Sequence, residues 1–110
     1  MDFKRVKLTT FVPIEDADKV REALGASGAG KIGDYSFCSY SVLGTGRFLP
    51  SQAANPHIGE PGKLEAVKEE RIEVVCMRED ARHVIAALKA AHPYEEVAFD
   101  ITPVLEESDL

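Results

Sequence analysis

No apolar run in the 110 residues approaches the roughly 20 needed to span a bilayer, so a membrane partner is not expected. Basic residues are outnumbered, 13 Lys+Arg against 19 Asp+Glu, which leaves a formal net charge of −6. That balance opposes nonspecific duplex binding, which depends on a basic patch, and no nucleic-acid partner is expected. Cysteine is scarce. Cys38 and Cys76 stand alone in apolar sequence and make neither a disulfide framework nor a zinc ribbon, which points to a reducing cytoplasm. Neither has a histidine nearby, and no serine stands in a nucleophile-elbow context, so no nucleophile is in evidence. The charged first seven residues run into an alternating segment and do not read as a signal peptide. What is present is ordinary for one globular domain over residues 1–110: 45% hydrophobic and 29% charged residues, too apolar for disorder.

The chain echoes itself at an offset of 64 residues. Glu15, Asp16 and Ala17 recur as Glu79, Asp80 and Ala81; Val20 recurs as Val84; Ala23, Leu24 and Ala26 recur as Ala87, Leu88 and Ala90. Before each copy lies an alternating segment, Leu8, Thr10, Val12 in one and Ile72, Val74, Cys76 in the other. Alternation is the period of a half-buried strand, and the Ala/Val/Leu spacing is helical. Ala81, Val84, Ile85, Leu88 and Ala91 form one apolar stripe, and Pro93 ends that helix because it has no amide hydrogen to give. The first helix runs out at Gly25 and Gly28, both candidate caps.

A further strand is expected after each helix, over residues 35–43 and 97–101. The order strand-helix-strand, twice over, predicts an α+β, ferredoxin-like fold. It would be a four-stranded antiparallel sheet with both helices on one face. The strand at 35–43 carries apolar groups on both sides, so the other sheet face is expected to be bare and apolar. Such a face usually marks a partner surface, which predicts a homo-oligomer.

A long hairpin insertion at about 44–64 separates the halves. Hairpin loops typically have about 2–5 residues, so one near 20 is functional or disordered, and Phe48 and Ile58 favour order. Gly44, Thr45 and Gly46 suggest a phosphate loop only weakly, since no Gly-Lys-Ser/Thr follows and no helix opens.

The chemistry-bearing candidates lie near His92. This histidine sits at a helix C-terminus, where the dipole favours a protonated ring, and Tyr94, Glu95 and Glu96 follow it. His92 with Glu96, joined by His57 from the insertion, could hold a divalent metal ion if the fold brings them together. The alternative is a helix stop with solvated acids, and His83 reads as a surface residue. The mixed-charge run over residues 65–73 reads as cross-strand pairs or protection of a sheet edge. No catalytic residues are assembled.

Four separated motifs carry a family likeness: Gly28-Ala29-Gly30-Lys31-Ile32-Gly33-Asp34-Tyr35-Ser36-Phe37-Cys38-Ser39-Tyr40, Gly44-Thr45-Gly46-Arg47-Phe48-Leu49-Pro50, Asn55-Pro56-His57-Ile58-Gly59-Glu60, and residues 92–101 beginning His92-Pro93-Tyr94-Glu95-Glu96. In this order they resemble the YqfO-type domain. That domain is inserted in many bacterial members of the Nif-three (Ngg-one-interacting factor) family and also occurs alone. The resemblance implies a fold similar to the PII signalling proteins and the CutA divalent-cation-tolerance proteins. Those are typically trimers that bind small ligands or metals at subunit clefts. The family's dinuclear metal core has no counterpart in this sequence, so its ligands and any hydrolase role do not transfer. Ala53 stands where the motif commonly has glycine.

The expectation is therefore a non-enzymatic, oligomeric domain, with a trimer favoured. It would bind a small ligand or a divalent metal at a cleft lined by His57, His92, Tyr94, Glu95 and Glu96, or mediate protein interaction. Two other classes remain: a small hydrolase-type enzyme using His92 as base with Glu95 or Glu96 orienting it, and a purely structural oligomerisation module.

Overall fold

The computed structural model describes residues 2–110. Strand β1 (Arg5–Pro13) begins the fold, and its alternation drives Val6, Leu8, Thr10 and Val12 to one side, where all four are buried. A single 3-10 turn at Ile14–Asp16 leads into helix α1 (Ala17–Ala26). Strands β2 (Tyr40–Phe48) and β3 (Glu65–Met77) form a long hairpin. A second 3-10 turn, Arg78–Asp80, precedes helix α2 (Ala81–Ala91), and strand β4 (Phe99–Val104) completes the sheet.

The strand order is β2-β3-β1-β4, with every neighbouring pair antiparallel. This is the expected ferredoxin-like α+β arrangement. The 64-residue echo holds in three dimensions: strand, 3-10 turn and helix recur in the same order, and Leu8/Ile72, Val20/Val84 and Leu24/Leu88 are buried as matched pairs. Both helices lie on the face presented by the even-numbered residues of β1 and β3, and together they close one apolar core. Arg21 pins α1 to the sheet by donating to Glu70 on β3 at 2.6 Å and Ser41 on β2 at 3.1 Å. Among the described residues no helix is long and apolar enough to cross a membrane.

Four local expectations are corrected. The second strand is not residues 35–43 but Tyr40–Phe48, so the insertion is residues 49–64 and the Gly-Thr-Gly segment lies inside a strand. Residues 30–38 are instead committed to a tight loop. Gly30 donates to the Val75 carbonyl at 2.8 Å, Cys38 donates back to Gly30 at 2.9 Å, and Ile32 and Tyr35 bond each other. Of the two candidate caps, only Gly28 acts as one, with φ of +104° just past the helix. Gly25 lies within α1, where a Cβ would come within 2.1 Å of the Phe37 ring.

The third correction concerns the uncovered sheet face. The odd-numbered positions of β1 and β3 place Lys7, Arg71 and Glu73 on it, with Lys7 and Glu73 at 4.0 Å. Apolar groups stand beside these charges rather than forming one continuous patch. Fourth, the mixed-charge run belongs to β3, which is a central strand and not an edge. It pairs with β1 only from Glu69 onward, so its first residues and the end of β2 project as a two-stranded arm, and the molecule extends 49 × 28 × 22 Å.

Replacing Leu24 or Leu88 by alanine empties matched positions of the shared core, and each change is expected to cost about 2–5 kcal/mol. Urea unfolding checks this: both variants should show a lower midpoint at an unchanged slope. A loss confined to one of the two would mean that the halves do not share a core.

Candidate functional site

The site is built where the chain leaves α2. The helix ends at His92, whose backbone is already extended, because Pro93 follows and forbids a further helical turn. The His92 ring turns inward and is only 6% exposed. Its Nδ1 accepts the Tyr94 backbone N–H at 3.1 Å, so the proton of the neutral ring lies on Nε2, which donates to the Phe11 carbonyl of β1 at 2.7 Å. Both ring nitrogens are thereby used.

Held this way, the segment after α2 crosses the end of β1 and delivers Tyr94 to the sheet face opposite the helices. The Tyr94 ring packs edge-on against Phe48 at 6.0 Å between centroids and lies 6.3 Å from the ring of His57. Its hydroxyl donates to Glu69 Oε2 at 2.9 Å. Burial first, and the Glu69 carboxylate second, push the Tyr94 hydroxyl well above its ordinary pKa of 10.0; Glu15 and Asp16 act in the same direction. The phenol is a fixed hydrogen-bond donor.

The insertion covers this face. Gly62 donates to the Pro50 carbonyl at 2.7 Å and closes the loop on itself. The Asn55 backbone N–H donates to Glu95 Oε1 at 2.9 Å and clasps the loop to the segment after α2. Between them lies a cleft of about 640 Å³. Its walls are mainly apolar, from Phe11 on β1, Phe48 on β2 and Ile58 on the insertion, with Tyr94 across from them. Volume and character are those of a small-molecule site.

His57, Tyr94, Glu95 and Glu96 all line the cleft, and His92 does not; it supports Tyr94 from behind. The donor set His57, His92 and Glu96 does not fit a divalent ion in this conformation, because neither nitrogen of His92 is free. Among the described residues no group of three or more His, Cys, Asp or Glu is placed to hold a metal. Nor do Glu95 and Glu96 orient His92: Glu95 is engaged by Asn55, and the partners of His92 are backbone groups.

Two residues escaped the sequence reading. Glu69 sat inside the mixed-charge run, where its alternation marks a face but nothing marks burial. Its cover comes from Tyr94, far away in sequence. Gly46 carries in the sequence only the weak phosphate-loop likeness. Its bare Cα is what lets Glu69 lie against β2, since a Cβ there would fall 1.8 Å from Glu69 Oε1.

No protein-family model matches the chain. It is 47% identical over 103 residues to a Halalkalibacterium halodurans protein named GTP cyclohydrolase 1 type 2 homolog, a match covering 94% of this chain and 28% of that protein. A Bacillus subtilis protein of the same name is 51% identical over 98 residues, covering 89% of this chain and 26% of the relative. The chain thus spans about a quarter of the length of the curated relatives it matches. Among solved structures, it is similar to a Bacillus cereus protein related to NIF3, with a TM-score of 0.82 and 44% identity over 94% of this chain and 26% of that one. CutA from Archaeoglobus fulgidus superposes with a TM-score of 0.68 at 19% identity, covering 93% of this chain and 85% of that one. The Bacillus subtilis GlnK–ATP complex gives 0.60 at 12% identity over 93% and 84%. At these identities the last two show a common fold.

Because the folded state holds the Tyr94 proton more tightly than the unfolded chain does, stability should be full below about pH 10 and fall as pH rises above it. Absorbance titration of the phenolates is expected to show Tyr94 ionising last of the three tyrosines. Tyr94→Phe should remove that late step and flatten the alkaline loss of stability. A Tyr94 that titrates together with Tyr35 and Tyr40 would contradict this geometry.

Proposed function

From its membership of the YqfO/NIF3-related family, of which it represents one CutA/PII-like domain, we propose that this chain is a non-enzymatic binding module whose ligand is a small organic molecule held in the cleft under the insertion. The observation that carries this reading is the cleft itself. An apolar, aromatic-walled volume is partly covered by a loop that is hydrogen-bonded in place through Asn55 and Glu95. A loop ordered in this way and set over a cavity is a binding device rather than a spacer. Metal binding by His57, His92 and Glu96 would first require His92 to surrender its bonds to Phe11 and Tyr94, which also anchor the cleft wall. The same bonds stand against His92 as a general base.

The module works as an oligomer, with a trimer favoured. Supporting this, β2 is an outer strand of the sheet, and on it Tyr40 and Leu43 are 65% and 73% exposed. An outer strand with exposed large apolar groups is a surface that proteins usually cover.

Two measurements test the proposal. A protein-observed NMR screen with small aromatic fragments should find binders that shift the amides of Phe11, Phe48, Ile58 and Tyr94. Binders confined to other surfaces, or none across the screened set, would remove the cleft as the site. Light scattering at micromolar concentration should give three times the chain mass; a clean monomer would remove the oligomeric part.

A further inference from the structure

Glu69 is the only buried acid among the described residues, at 7% exposure. The other two buried polar side chains are satisfied by protein: Thr10 donates to the Ala98 carbonyl at 2.9 Å, and His92 has its two backbone partners. Glu69 is treated differently. Oε2 receives the Tyr94 hydroxyl, whereas no hydrogen bond or ion pair within the described residues reaches Oε1. Oε1 lies over the bare Cα of Gly46, and both residues line the cleft. Among the described residues no fully buried side-chain oxygen lacks a partner, so Oε1 keeps access to the cleft, where water or a cation can offset its lost hydration. Here one oxygen is left for whatever enters.

The surrounding charge has one dominant sign. Glu95 and Glu96 stand at the rim, and the cleft's one Lys or Arg residue is the exposed Arg47. The walls that meet the body of a ligand are the faces and edges of Phe48, Tyr94 and Phe11, together with Ile58. Aromatic walls beside carboxylates attract a cation twice over, through ring quadrupoles and through direct charge. An anionic ligand would meet three carboxylates against one guanidinium.

Building on the cleft as the binding site, we infer that it takes an organic cation: an ammonium or amidinium group on an apolar or aromatic body, with the N–H donated to Glu69 Oε1 and the body held against Phe48, Tyr94 and Ile58. Gly46 is a positioning residue for this site, since its missing side chain leaves the space in which the carboxylate lies.

The test uses the full chain and two probes of one shape, phenethylammonium and phenethyl alcohol, titrated by calorimetry and followed by amide NMR. The ammonium is expected to bind about tenfold or more tightly than the alcohol, as a charge-assisted hydrogen bond requires. Glu69→Gln keeps an acceptor for Tyr94 and should bring the two probes to within about twofold of each other. Gly46→Ala, whose Cβ displaces Oε1, should lose the preference as well, with a native amide spectrum as the check on folding. Equal binding of both probes to the unaltered chain, or a preference that survives Glu69→Gln, would overturn the inference while leaving the cleft as a site. Failure of both probes to bind would overturn it together with the reading on which it rests.

Discussion

The candidate site depends on one imidazole. His92 stands between two backbone groups, accepting the Tyr94 amide on one nitrogen and donating to the Phe11 carbonyl with the other. The Phe11 carbonyl belongs to a central strand, and the Tyr94 amide belongs to the segment that must travel from α2 to the far edge of the sheet. Bridging them fixes the height and direction at which this segment passes the end of β1. Tyr94, Glu95 and Glu96 inherit their positions from that crossing. Because the ring is buried, losing either bond would leave an unpaired polar group, so the tether is expensive to break. A histidine that reads as a ligand or a base is here a structural pin.

A second constraint comes from strand register. Glu69 faces Gly44 directly across the β2–β3 pair, and Gly46 is its diagonal neighbour on the same face. A Cβ at Gly44 would meet nothing, whereas one at Gly46 would fall on the carboxylate, so it is the bare Gly46 that lets Glu69 lie down on β2. Tyr94 then caps one oxygen from above. Three features that look unrelated in sequence thus make a single arrangement: a glycine in a strand, an acid in a charged run and a tyrosine after a helix. The insertion completes it. Glu95 holds that loop at Asn55, so the same segment that His92 positions also carries the latch for the cover.

The sheet itself leaves room in so small a domain for both a cleft and a candidate partner surface. Its helices occupy one face only. The other face is divided: near the β2–β3 arm it is covered by the insertion and holds the cleft, and elsewhere it carries charges such as Lys7 and Glu73 beside apolar groups. Tyr40 and Leu43, on the two faces of the outer strand β2, remain exposed beside it. The cleft and the candidate partner surface therefore share one strand, and a neighbouring subunit seated on β2 would lie next to the wall formed by Phe48.

The fold was legible because it rests on local periodicity. Alternation at Leu8, Thr10 and Val12, the stripe from Ala81 to Ala91, and the echo of Glu15-Asp16-Ala17 each report the period of one element. The extent of the second strand was not legible. The aromatic residues near Tyr35 and Phe37 have strand-forming chemistry, yet Gly30 and Cys38 tie that stretch into a loop, and pairing with β3 decides where the strand starts. The site divides along the same line. Its residue types at 57 and 94–96 could be singled out from composition and spacing, since polar and aromatic groups clustered after a helix stop are visible in one dimension. That His92 would be used up by two backbone partners, and that Glu69 would be buried over Gly46, are decided by contacts between segments far apart in the chain. Sequence alone determined which elements form and which faces they bury, because those follow from neighbours along the chain. Only the tertiary structure decided which polar groups are left free, because burial and hydrogen-bond partners are set by what arrives from elsewhere.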